Sequence, residues 1–112
     1  MGDRAIEAQK PVKIIDHNTV VFTRPHGIIG KDSACTVVVD SHPKIADYQC
    51  EFAKRPSGWY IGSGNKHLLV KISREGRDIP VPHCNPRDAQ SVLLKKNDNI
   101  LFESVRIVVD FA

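Results

Sequence analysis

The sequence predicts an all-β sandwich or barrel. Three observations predict it: β-branched runs of a few residues separated by turn residues, period-two alternation in the last run, and no stretch of about ten residues with helical periodicity. At 112 residues the chain fits one domain with one core. Hydrophobic residues at 41% and charged residues at 26% match a folded chain and exclude the disordered class. A net charge of +3 falls well short of the dense Lys/Arg block that nucleic acid asks for, so no direct nucleic-acid partner is expected.

Residues 1–11 read as a flexible N-terminal arm and 12–112 as the domain. Val12 to Ile15 and Thr19 to Thr23 read as strands around Asp16-His17-Asn18, a short first hairpin. Ile28-Ile29 follows Pro25-His26-Gly27. The stretch Gly27 to Phe52 then frames one strand, Thr36 to Val39, between a turn at Lys31 to Ser33 and a second break at Asp40 to Pro43. Tyr48 to Ala53, Trp59 to Ile61 and Leu68 to Ile72 continue the pattern, with Gly62-Ser63-Gly64-Asn65 as a dense turn signal.

Ser73 to Ser91 reads as an inserted loop, because Pro80, Pro82 and Pro86 exclude helix and central-strand geometry. Val92 to Leu94 leads into a turn at Lys95 to Asp98, where Asn97 suits the left-handed conformation. Asn99 to Glu103 and Val105 to Phe111 read as a hairpin around Glu103-Ser104. In the last strand Val105, Ile107, Val109 and Phe111 share one face, and Arg106, Val108 and Asp110 the other. Val108 is therefore apolar on an outward face, as are one of Val20 and Val21 and one of Val37 and Val38.

Catalysis is not expected. The chain has no Gly-x-Ser-x-Gly elbow, no P-loop and no His-Glu-x-x-His, and no cofactor is implied. Cys35, Cys50 and Cys84 lack a Cys-x-x-Cys pair and read as small buried or half-buried thiols. His83-Cys84 has no second ligand pair nearby, so no metal is expected. Without an N-terminal apolar h-region or a bilayer-length apolar run, no membrane partner is expected and a reducing intracellular compartment is. His26 and His42 read as surface residues. Lys31, Lys44, Lys66 and His67, with Lys54-Arg55, read either as an anion-binding patch gathered at one end or as a solvated loop surface.

Five pieces in order resemble the forkhead-associated (FHA) domain: Ile29-Gly30-Lys31 with Cys35 to Val39, Ile45 to Phe52, Trp59 to Ile61, Gly62 to Asn65, and Leu94 to Ile100. The resemblance covers Val12 to Phe111. It implies an FHA-type β-sandwich of about eleven short, mostly antiparallel strands, whose connecting loops read phosphothreonine peptides. The phosphate-binding candidates that it implies are Lys31, Ala46, Gln49, Ser63, Gly64, Asn65 and Lys66. Within the family, the first-strand hairpin and the insertion before Leu93 are most similar to N-terminal FHA domains of mediator-of-DNA-damage-checkpoint proteins, which implies a nuclear scaffold whose module self-associates.

Departures from the family pattern fall on the phosphate site. Lys31 stands where the family has arginine, keeping charge but losing the guanidinium fork. Ala46 replaces the phosphate-contacting serine, a loss of ~1.5–3 kcal/mol if the bond is charge-assisted, or roughly ten- to more than a hundredfold in affinity. Gln49 replaces the loop-bracing histidine, and Lys66 a glycine. The expected function is thus a protein interaction module with a degenerate phosphothreonine site that homodimerises through an apolar sheet face, with Val21, Val38 and Val108 as interface candidates. The alternative is a working phosphothreonine reader.

Overall fold

The structure, a computed structural model, describes residues 3–5, 12–14, 17–22, 24–65, 68–103 and 105–111, with side chains described from Thr19 onward. Short β-branched runs bounded by turn residues make twelve strands among these residues: β1 (Asp3–Ala5), β2 (Val12–Ile14), β3 (His17–Phe22), β4 (His26–Gly30), β5 (Val37–Val39), β6 (Cys50–Arg55), β7 (Gly58–Ser63), β8 (Lys71–Arg74), β9 (Arg77–Pro80), β10 (Val92–Leu93), β11 (Asn99–Phe102) and β12 (Val105–Phe111). They pair into two six-stranded sheets. Sheet A runs β1-β3-β12-β11-β8-β9 and sheet B runs β10-β7-β6-β4-β5-β2. The chain is all-β, and its two sheets form a sandwich around one core.

Alternation decides which side chains enter that core. Val20 and Phe22 of β3, Ile100 and Phe102 of β11, and Val105, Ile107 and Val109 of β12 turn inward from sheet A. Ile29, Val37, Val39, Cys50, Phe52, Trp59 and Ile61 meet them from sheet B. Phe22 stacks on Phe52 with ring centroids 4.2 Å apart, and Trp59 stacks on Phe111 at 5.6 Å. Each such ring pair adds about 0.5–1.5 kcal/mol beyond the apolar area that it buries.

Turn chemistry reverses the chain between strands. Asn97 takes a φ of 72°, the left-handed conformation that its short amide side chain tolerates, and Glu75-Gly76 (52° and 78°) turns β8 into β9. Glu103, at 53°, turns β11 into β12; its neighbour Ser104 lies outside the described residues.

Two expectations are corrected. Ser73 to Ser91 is not a simple loop: it opens with the β8–β9 hairpin, and Pro80 is tolerated because it ends an edge strand that needs no further donor. Among the described residues no first hairpin forms, since β2 pairs with β5 in sheet B while β3 pairs with β12 in sheet A. Most pairings are antiparallel, but β1–β3, β3–β12, β2–β5 and β4–β5 are parallel. Within the segment read as an arm, Asp3–Ala5 forms a strand alongside Thr19 to Val21.

A charged lock, which pattern reading misses, joins the two turns at one end. Asp98 is buried with its side chain 1% exposed, and it accepts Arg74 Nε at 2.8 Å, Arg74 Nη2 at 2.6 Å and Lys95 N at 2.7 Å. Arg74 Nη2 also donates to Leu93 O at 2.7 Å. The hydrogen bonds to Asp98 raise the Arg74 pKa, so this end carries a permanently charged, fork-geometry pair.

Candidate functional site

At the opposite end, the β4–β5 connection (31–36), the β5–β6 connection (40–49) and Gly64, just after β7, come together. Glycine makes their close approach feasible. A Cβ on Gly30 would stand 2.1 Å from Asp47 O and 2.7 Å from its carbonyl carbon, so the backbone of 46–49 can lie across β4 only because Gly30 has none. Lys31 N then donates to Ala46 O at 2.9 Å, Asp32 N to Asp47 O at 3.2 Å, and Gln49 N to Ile29 O at 2.9 Å.

Gln49 is the hub. It is fully buried, its side-chain Oε1 accepts Ala46 N at 2.9 Å, and its main-chain oxygen accepts Gly64 N at 3.0 Å. The glutamine thus braces the loop by closing the 46–49 turn on itself. Ser63 Oγ points to Asn65 O at 2.8 Å, and Asn65 N approaches that hydroxyl at 3.4 Å. Of the phosphate-binding candidates, Lys31, Ala46, Gln49, Ser63, Gly64 and Asn65 are brought to this one end; Lys66 and its neighbour His67 lie outside the described residues.

What the end can do chemically is limited by its side chains. Ala46 presents a methyl group where an anion would want a hydroxyl. Gln49 Oε1 and Ser63 Oγ are buried and spend their contacts inside the protein, while Gln49 Nε2 is buried with no hydrogen-bond partner among the described residues. Lys31 and Lys44 bring positive charge, but Asp32 and Asp47 stand among them on the same loops. Lys54-Arg55 does not join them: it sits at the far end of β6, with the Arg55 guanidinium 4.2 Å from the Tyr60 ring centroid. Cys35 is a buried clasp. Its Sγ donates to Asp47 O at 3.0 Å, and burial, with Asp32 adding to it, pushes the thiol pKa up. Burial alone raises Cys50, and burial with Asp88 raises Cys84, so none of the three is an activated thiolate. His26 pairs with Glu51, His42 lies 4.0 Å from Glu103, and His83 Nδ1 lies 3.1 Å from Ser63 O.

The two outward faces differ. That of sheet B is occupied by its own chain: residues 46–49 lie over Gly30, Cys84-Asn85 lies over Gly62, Ala53 is fully buried and Val38 is only 8% exposed. Val38 therefore shares no surface with Val21 and Val108, which stand on sheet A. There the register sets Val21 opposite Asp110, Val108 opposite both Thr19 and Asn99, and Leu101 opposite Arg106. Val21, Val108 and Leu101, all half-buried, thus form a diagonal apolar row over three adjacent strands. Along β12, Arg106 and Asp110 flank Val108 by two residues each, on the same face. Leu101 was not among the expected interface residues. The alternation Asn99-Ile100-Leu101-Phe102 leaves its facing ambiguous until the pairing is known.

Searches against protein-family models and against curated proteins give no match.

Proposed function

We propose that this chain is a protein–protein interaction module of forkhead-associated type, that it works through the outward face of sheet A, and that a second copy is its first partner. The observation that carries this reading is the arrangement around Val108. A two-fold axis lying between the copies, parallel to the sheet, perpendicular to β12 and passing over Val108, sets Arg106 of one copy against Asp110 of the other, twice, with the two Val21–Val108–Leu101 rows crossing at Val108. Such a face is self-complementary in charge and apolar at its centre, which is what an isologous contact needs. The blunted donor set at the loop end supports the same reading, because Ala46 offers no side-chain donor to a phosphate. The resemblance to checkpoint-mediator modules fits a nuclear scaffold held in pairs.

Charge reversal tests it. Arg106→Glu and Asp110→Lys each place like charges across the axis and are expected to weaken the dimer by about tenfold or more, measured by sedimentation equilibrium. The double variant restores opposite charges and is expected to recover most of the affinity. A wild-type chain that stays monomeric at high micromolar concentration contradicts the proposal, as does a double variant no better than the singles.

A second reading, phosphothreonine-peptide binding at the loop end, is favoured by one observation: Lys31, Ser63, Gly64 and Asn65 converge there despite their separation in sequence. It requires binding that disappears on dephosphorylation and in Lys31→Ala.

A further inference from the structure

Ser63, the last residue of β7, is gripped by a segment that belongs to neither sheet. Ser63 N donates to Pro82 O at 2.9 Å, Ser63 O accepts Cys84 N at 3.2 Å, and His83 Nδ1 stands 3.1 Å from the same oxygen. A carbonyl oxygen only accepts, so His83 holds its proton on Nδ1. The grip is local, since Ser63 and His83 form an isolated parallel bridge rather than a strand pair.

The segment is anchored on both sides of the bridge. Before it, Val81 N donates to Val70 O at 2.9 Å, which ties it to the chain entering β8 in sheet A. After it, the backbone presses onto sheet B where a Cβ on Gly62 would be 2.1 Å from Cys84 O. Farther on, Arg55 Nη1 holds Ser91 Oγ at 3.3 Å.

From Ser63 an unbroken series of contacts crosses the loop end. Its neighbour Gly64 donates to Gln49 O, Gln49 Oε1 accepts Ala46 N, and Ala46 O accepts Lys31 N. We infer that Pro82–Cys84 is a strap that positions the loop end: through Ser63 it sets the placement of residues 64, 49, 46 and 31, so the strap and those loops behave as one unit. His83 is the positioning residue within it, because its ring supplies the side-chain bond that the strap adds to its two backbone bonds. Whatever binds the loops is then coupled to residues 82–84, and by reciprocity a partner that lifts the strap loosens the loops.

Amide hydrogen exchange followed by NMR tests this on the whole chain. In His83→Ala, exchange at Gly64 and Ala46 is expected to speed up by about tenfold, the scale of one lost hydrogen bond. Exchange at Val109, which donates to Asp98 O at the opposite end, is expected to stay unchanged. His83→Asn places an amide donor close to where Nδ1 stood and is expected to restore protection. Unchanged exchange at Gly64 and Ala46, an equal rise at both ends, or an Asn variant that behaves like the Ala variant would each overturn the inference.

Discussion

Arg74→Ala is expected to cost the fold about 3–5 kcal/mol, the scale of stranding one partner of a buried ion pair. The Asp98 carboxylate, 1% exposed in the intact pair, would keep only the Lys95 amide among the donors that now hold it. Against a total stability of roughly 5–15 kcal/mol for a domain, that is a large fraction. A fall in melting temperature of about 15–25 °C checks it. Asp98→Ala is expected to cost less, about 2–3 kcal/mol, because Arg74 is 22% exposed and can turn its guanidinium toward solvent. In the double variant no charge is left stranded, so its cost is expected to lie well below the sum of the two. A purely additive pair of losses would mean that the contact contributes nothing in itself.

Gly30→Ala is expected to be the second large effect. The added methyl carbon would fall 2.1 Å from Asp47 O and 3.0 Å from Gln49 N, both main-chain atoms that cannot swing aside like a side-chain tip. Either the 46–49 backbone lifts off β4, breaking the Lys31–Ala46 and Gln49–Ile29 bonds, or β4 shifts within its sheet. Overpacking of this kind costs about 1–3 kcal/mol, and the broken bonds about 1 kcal/mol each. Denaturant unfolding gives the stability, and loss of exchange protection at Lys31 and Gln49 shows where the strain goes. A variant as stable as the parent, with both amides still protected, would mean that the loop does not rest on Gly30.

Much of this architecture is legible in the residues because it depends on local signals. The alternation Val105 to Phe111 announces a half-buried strand, and Asn97 announces a left-handed turn; both follow from backbone and side-chain sterics within a few residues. The loop end is legible for a related reason: Gly30 and the Gly62 to Asn65 stretch are conspicuous, although their purpose, giving room to a distant backbone, emerges only when 46–49 and 84–85 are seen against them.

Long-range partnerships are what the sequence leaves hidden. Nothing near Arg74 names Asp98 as its partner, and nothing near Val12 says that β2 and β3 part company to different sheets. Alternation says that one of Val37 and Val38 faces outward, and it is Val38, but it cannot say that this outward face is covered by the chain itself. The same ignorance of register hid Leu101, whose place in the apolar row depends on its pairing with Arg106.

The proposed working surface is the sheet A face and not the loop end. Backbone amide chemical shifts of the labelled chain, recorded on dilution and then on addition of a phosphothreonine peptide beside its unphosphorylated twin, test it most directly. Dilution shifts are expected along Thr19–Phe22, Asn99–Phe102 and Val105–Phe111, with no difference between the two peptides at Lys31, Ala46 or Gly64. Phosphate-dependent shifts at those three residues, with none on dilution, would contradict it.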